Sequence, residues 1–356
     1  MSLDAQNMRK VLQALAPGTR LREGLERIQR GHTGALIVLG YDDEIEQLCS
    51  GGFELDVELS PARLRELAKM DGAVIISSDH RRIRRANVQL IPDSSIPTTE
   101  SGMRHRTAER TSRGTGIPVI SLSASMRVIT VYVGGLRKTL VEPEVLLSRA
   151  NLALDTLERY SQRLDEDLGT LTVLEHRDAA TLREVTTVLQ RMEMIRRIHS
   201  EISSYLEELG TEGRLLALQL DDLVSGAAQE RNLVLCDYVH PRSALHRAQD
   251  ELANLDGEAL VRLDAIAQAI GHPTVDASDL DQVLKTRGLR ALTMVPRLQW
   301  AIIEKLGERW QTLTQLREAS SDELQEIEGV GPYRAQLIHD SLVRQAEASS
   351  PESVGW

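Results

Sequence analysis

At 356 residues, 41 % of them hydrophobic and 27 % charged, the chain has length for two or three globular domains, and its composition excludes a wholly disordered polymer. The formal net charge of −11 is uneven: residues 1–149 hold 21 Lys/Arg against 18 Asp/Glu, residues 150–285 hold 13 against 25, and residues 286–345 hold 8 against 8. That distribution excludes a protein that coats polyanions generally, so any phosphate binding must be local.

Residues 1–147 read as an α/β domain. Apolar, β-branched runs at Ala35–Leu39, Ala73–Ile76, Val88–Ile91, Val119–Leu122 and Val128–Val133 predict strands. Helical patterns cover Met8–Leu15, Leu21–Arg30 and Pro61–Lys69, the last with Ser60 as N-cap and Pro61 at the first helical position. The stretch after Pro97 is polar, contains Gly102 and reads as a loop. From residue 148 to 285 the period changes to three or four, as in Leu157, Tyr160, Leu164, Leu168 and Leu171, and again in Val188, Met192, Ile195, Ile198 and Ile202. This predicts an all-α spine with its acidic residues on the outer faces. Residues 286–346 read as a small all-α domain, and 347–356 as a flexible tail.

No apolar run approaches the roughly 20 residues of a membrane span, and the first ten residues lack a signal-peptide core. Cys49 and Cys236 are the two cysteines; they have no CxxC partners, which argues against a disulfide framework or cysteine zinc site and for the reducing cytoplasm.

Three features of the first domain carry chemistry. Asp71-Gly72-Ala73 joins a helix to a strand: a carboxylate beside a glycine marks a turn or a place where a divalent metal and a nucleotide approach closely. Arg104-His105-Arg106-Thr107 offers guanidinium forks for phosphate oxygens ahead of a helix, and His105 reads as a packing residue or a base. The run Arg81-Arg82-Ile83-Arg84-Arg85 reads as an exposed turn or as further phosphate contacts. No GxxxxGK[ST] motif is present, so a P-loop ATPase is excluded. In the last domain, Glu328-Gly329-Val330-Gly331-Pro332-Tyr333-Arg334 links two helical patterns by a tight glycine turn, with amides at the second helix start available to a DNA phosphate.

Asp71-Gly72-Ala73, followed about thirty residues later by GMRHRTAERTSRGTGIPVISLS, resembles the diadenylate cyclase family, and Leu324–Leu342 is similar to a helix-hairpin-helix DNA-binding motif. The order of regions resembles family members that join a cyclase domain, a helical spine and a helix-hairpin-helix domain. The resemblance implies a mixed sheet flanked by helices and condensation of two ATP into cyclic di-AMP and two pyrophosphates with Mg²⁺ or Mn²⁺. It also implies a homo-octamer of paired cyclase domains, regulated by branched DNA. Carried over by motif, Asp71 is the metal-side carboxylate. Gly72 and Ala73 line the nucleotide, Leu90 lies near the base, and Arg104, His105, Arg106, Thr107 and Ser123 approach the phosphates. Gly329, Gly331, Tyr333 and Arg334 are the corresponding DNA contacts. Two departures stand out: Met103 replaces a threonine common in relatives, and Ala124-Ser125-Met126-Arg127 replaces an arginine-containing stretch. The alternative is a DNA-structure-binding protein whose first domain binds nucleotide without turning it over.

Overall fold

A strand that is apolar at five successive positions needs cover on both faces, and Ala35–Leu39 has it, every residue being buried. Ala35, Ile37 and Leu39 join one core cluster, whereas Leu36 and Val38 join another, as the alternation of a strand requires.

The computed structural model describes residues 3–126 and 128–349. Its elements run α1 (Leu3–Ala14), α2 (Arg20–Arg30), β1 (Ala35–Leu39), α3 (Asp43–Leu48), β2 (Cys49–Ser50), β3 (Phe53–Glu58), α4 (Pro61–Leu67), β4 (Ala73–Ile76), β5 (Arg82–Leu90), α5 (Met103–Thr115), β6 (Val119–Leu122), β7 (Ile129–Val133) and β8 (Leu136–Thr139). Then follow α6 (Pro143–His176), α7 (Leu182–Leu209), α8 (Arg214–Leu223), α9 (Ala227–Tyr238), α10 (Leu245–Asn254), α11 (Gly257–Val261), α12 (Leu263–Ala269), α13 (Leu289–Thr293), α14 (Trp300–Arg309), α15 (Leu313–Glu318), α16 (Ser321–Gln325) and α17 (Pro332–Ala348). Two compact units form: residues up to Leu152 together with Ile202–Leu218, and Ala153–Glu201 together with residues from Gln219 onward.

The first unit holds an eight-stranded sheet in the order β2-β5-β4-β1-β6-β7-β8, with β3 also paired to β5. β1 and β4 are parallel, and the other pairs are antiparallel. This is the expected mixed sheet flanked by helices. Val11, Leu25, Ile28 and Leu64 of the helices share one cluster with Ile37, Val74 and Ile76; Ile45 and Ala108 share the other with Val38 and Ile75. Each fully buried Leu or Ile contributes roughly 1.5–3 kcal/mol over its exposed form, which is why the helices stay on the sheet. Ser60 caps α4 by accepting the Arg63 N–H, and Pro61 takes the first turn as expected.

Two expectations need correction. The basic run is not a turn: Arg82–Arg85 lie in β5, where Ile83, Ala86, Val88 and Leu90 face the core, Arg82 is exposed, and Arg84 and Arg85 are half-buried. Arg82 Nε and Arg84 Nη1 reach Asp56 Oδ1 at 2.8 and 2.7 Å, and these arginines hold the Asp56 carboxyl below its usual range. The run is thus largely committed to β3. Secondly, Arg104–Thr107 are not in a loop, because α5 already begins at Met103.

In the second unit most of the periodic apolar positions of α6 and α7 are buried, including Leu157, Leu164, Leu171, Val188, Met192 and Ile195, whereas Tyr160, Leu168 and Ile198 are half-buried. Not every acidic residue lies outside, however: Glu175, Glu193 and Asp237 are buried. Asp237 accepts the backbone N–H groups of Leu289 and Arg290 at 2.9 and 3.1 Å, serving the start of α13, whose own cap residue Gly288 has no side chain. Arg290 in turn binds Glu175 and Glu230, each at 2.8 Å. Burial, with Glu175 nearby, pushes the Asp237 carboxyl up to about 7, against the two amides and Arg290. A separate apolar cluster of Leu292, Ile303, Leu306, Leu316, Ile338 and Leu342 binds α13–α17 together. Glu347 and Ala348 of the expected tail end α17, and residues from 350 lie outside the described residues. Among the described residues, no helix is long and apolar enough to cross a membrane.

Candidate active site

Segments distant in sequence line one cavity of about 1010 Å³ in the first unit. Asp71, Gly72 and Ala73 come from the start of β4, Leu90 from the end of β5, Met103, Arg104, His105 and Thr107 from the first turns of α5, and Ser123 from the end of β6. Arg106 does not line it; it is exposed on α5, one residue from the buried His105 and therefore about 100° round the helix. Ala124 and Ser125 also line the cavity, and Arg127 lies outside the described residues.

The backbone explains why the glycine after Asp71 is required. A Cβ on Gly72 would stand 2.3 Å from the Asn87 carbonyl carbon and 2.6 Å from the Val88 nitrogen. The close approach is made by β5 itself, where Asn87 has φ +53° and the β4–β5 register slips. Gly72 therefore seats strand on strand, and so fixes Asp71 at the rim.

Asp71 Oδ1 accepts from Arg104 Nη2 at 2.7 Å, with the side chains 94 % and 43 % exposed. An ion pair so open to water contributes little to stability and is readily exchanged for other partners. Arg104 finds its place through another glycine, since a Cβ on Gly34 would lie 2.7 Å from Arg104 Nη1. Helix α5 starts at Gly102, which offers no side-chain cap, so its first amides are free to meet an anion.

His105 is held from behind. Its Nδ1 is 2.8 Å from the Tyr132 hydroxyl, which donates to Glu100 Oε1 at 2.9 Å; Arg137 pairs with the same carboxylate oxygen at 2.7 Å. A carboxylate only accepts, so the single phenolic proton goes to Glu100 and the Tyr132 oxygen accepts the N–H of Nδ1. His105 Nε2 is left buried and unpartnered. Burial pushes His105 below its ordinary value, Glu100 raises it and Arg137 lowers it again. The phenol of Tyr132 is pushed far up by burial and by Glu100.

Sequence reasoning missed Gly34, Gly51, Gly52, Glu100 and Tyr132. Gly51-Gly52, both with positive φ, carried a legible turn signal. Asp71 is the one carboxylate of the cavity lining, and no group of three or more His, Cys, Asp or Glu suited to a metal occurs among the described residues. That donor set fits a Mg²⁺-type ion completed by substrate phosphates, not a site made by protein alone.

The C-terminal hairpin has a different setting. Gly329 takes φ +97°, and the Val330 N–H closes the turn on Ile327 O at 2.9 Å. Gly331 and Pro332 begin α17 without a side-chain cap. Arg334 Nη1 donates to Gly329 O at 2.6 Å, while Tyr333 is exposed. A Cβ on Gly331 would meet nothing within 4 Å.

Residues 22–136 match the family model for the DisA bacterial checkpoint controller nucleotide-binding domain, and residues 140–278 match that for the DisA linker region. The chain is 53 % identical over 350 residues to the DNA integrity scanning protein DisA of Acidothermus cellulolyticus, covering 97 % of this chain and 94 % of that one. It is 52 % identical over 347 residues to the DisA of Streptomyces coelicolor, covering 96 % and 92 %. Among solved structures, DacA from Staphylococcus aureus is similar at 22 % identity and a TM-score of 0.30, over 39 % of this chain and 92 % of that one. With half of its residues identical to these relatives over nearly their whole length, the chain belongs to the family of DNA integrity scanning proteins DisA, whose nucleotide-binding domain is the diadenylate cyclase domain.

Proposed function

We propose that the protein condenses two ATP molecules into cyclic di-AMP and two pyrophosphates, under the influence of branched DNA bound at its C-terminal hairpin. The observation that supports this best is the joint lining of one open cavity by Asp71 and by the uncapped start of α5 with Arg104. The triphosphate lies against the α5 amides, Arg104, Thr107 and Ser123, and the adenine lies near Leu90. With its proton on Nδ1 toward Tyr132, His105 presents Nε2 as an acceptor, which bonds a phosphate oxygen only after taking up a proton there. Asp71 sits by the ribose, where its carboxylate orients the 3′-hydroxyl and receives or relays its proton.

One cavity activates one hydroxyl, and the product has two phosphodiester bonds, so two protomers must face each other. Each 3′-oxygen forms a bond to the α-phosphorus of the opposing ATP in line. The bond to the bridging oxygen breaks, and pyrophosphate leaves with the electron pair. A Mg²⁺ or Mn²⁺ ion held by Asp71 and phosphate oxygens would supply charge neutralisation and acidify the 3′-hydroxyl. Exchange of the exposed Asp71–Arg104 pair for these partners costs little. Arg106, exposed beside the cavity, is available to the opposing nucleotide. Such pairs, joined into a homo-octamer in the cytoplasm, give the DNA hairpins avidity.

The second reading, nucleotide binding without turnover, is favoured by Met103, which is 79 % exposed and has no hydroxyl for a phosphate. Incubation with ATP and Mn²⁺, read by mass, decides between them. The cyclase reading requires cyclic di-AMP from the wild-type chain and none from Asp71→Asn; ATP that binds and stays intact in the wild type favours the second.

A further inference from the structure

Arg231 of α9 occupies a position that ordinary packing does not explain. Its side chain is 14 % exposed, yet it donates no hydrogen bond to any described residue. Its Nε–H is buried without a partner, and the nearest carboxylate, Glu193, is 3.6 Å from Nη2, beyond hydrogen-bond distance. Glu193 is already taken. Fully buried on α7, it accepts from Arg196 Nη2 at 2.6 Å and from Arg197 Nε at 3.1 Å. Three guanidiniums therefore surround one carboxylate, an excess of two positive charges around a buried group. Burial and the charge of Arg196 push Arg231 down from its ordinary value, with Glu193 opposing. Buried donors are nearly always satisfied, and a buried cation that shares its one carboxylate with two closer arginines has charge left for a second anion.

Beside these arginines lies a cavity of about 320 Å³. Met192 and Ile195 of α7, with Val224, Ala227 and Ala228, form its apolar wall. Arg196 and Arg231 form its polar side, next to His199 and Asn232, and no acidic side chain lines it. Its volume is at the small end of ligand pockets, which typically span about 300–1,000 Å³. A bare inorganic anion would leave the apolar wall wet, and water would bring no charge.

We propose that this cavity is a receptor for a small organic anion: one carboxylate, phosphate or sulfonate group held by Arg231 and Arg196, on an apolar body seated against Met192, Ile195 and Ala228. None of these residues lines the nucleotide cavity, so the site is separate from ATP binding. An occupant ties α7 to α9 through both a charge and an apolar contact.

The test is a calorimetric titration of the full chain with anilinonaphthalene sulfonate, which joins one anionic group to an aromatic body. One saturable site per chain is expected. Affinity should fall by about tenfold or more in Arg231→Met, which removes the charge, and in Ala228→Trp, which fills the cavity. Inorganic phosphate alone should bind at least about tenfold more weakly than the sulfonate. Without probe, Arg231→Met should melt at or above the wild-type temperature, because a buried cation has gone whose one carboxylate keeps Arg196 and Arg197 as closer partners. The proposal is overturned by undiminished binding in both variants, by the absence of one-to-one saturation, or by phosphate binding as tight as the sulfonate. It is equally overturned if Arg231→Met melts well below the wild type without probe, since Arg231 would then be a structural partner of Glu193. Ala228→Trp reads the cavity with all three arginines intact.

Discussion

Helices α5 and α17 begin alike and end in different surroundings. Each starts at a glycine with no side-chain cap, and each carries an arginine in its first turns, Arg104 and Arg334. Both thus present uncapped amides and a cation, the elements of a phosphate site. At α5 they open on a cavity of about 1010 Å³ backed by the sheet, with Asp71 on its lining. At α17 the glycine stands in open space. The same local chemistry suits a small nucleotide where walls surround it and the backbone of a long polymer where none do. On the proposed reading, affinity for phosphate comes from the helix start, and selectivity from what the rest of the fold places around it.

Substitutions of glycines around the two sites test this difference most strongly. Gly72→Ala should have the largest effect, because its Cβ would stand 2.3 Å from backbone at Asn87, which cannot yield as a side chain tip can. A loss of about 3 kcal/mol or more is expected, read by denaturant melting, together with loss of the nucleotide site. Tyr132→Phe comes next. It leaves both His105 Nδ1 and Glu100 short of a buried partner, at a cost of about 1–3 kcal/mol, and nitrogen chemical shifts of the ring should show that the Nδ1–H tautomer is no longer fixed.

Smaller effects separate binding from folding. Gly34→Ala puts a Cβ 2.7 Å from the Arg104 guanidinium, a side-chain tip that can shift, and 3.1 Å from the Leu122 carbonyl oxygen, so ATP should bind about tenfold more weakly in a calorimetric titration at a modest cost in melting temperature. Gly331→Val has room for its side chain, so stability should hold, and affinity for branched DNA should fall severalfold in a gel-shift titration. If the melting temperature fell as well, the open setting of α17 would be refuted. The smallest effect is one of pH. His105 is held below its ordinary value of 6.5, so the folded chain takes up its proton later than the unfolded one. The contribution is present above about pH 6.5 and is lost as pH falls through the depressed value. Melting temperature should decline over that window, and His105→Gln should flatten the slope.

Much of this was legible in the sequence where chemistry is local. The strand Ala35–Leu39 is read from its unbroken apolar run, and α4 from Ser60-Pro61. Asp71-Gly72-Ala73 and Arg104-His105 are recognisable as motifs, and the fold does bring them to one cavity. What stayed hidden depends on pairing. Strand β3 carries exposed Phe53, Glu54 and Glu58 and takes its place from partners some thirty residues away on β5. That Gly72 answers to Asn87, and Gly34 to Arg104, is visible only once the strands are aligned. Glu193 looks like one more acid on an amphipathic helix until its three arginines are gathered around it.

On the proposed reading, two chains each supply half of one reaction. Wild-type and Asp71→Asn chains carrying different tags, shown by the tags to have exchanged, should be mixed in varying ratio and their products read by mass. With random pairing, about a quarter of pairs in an equal mixture hold two intact aspartates. Cyclic di-AMP should therefore fall with the square of the wild-type fraction, while a linear dinucleotide builds up from mixed pairs. A strictly proportional fall, with no linear species, would mean that each chain completes both bonds alone and would contradict the account.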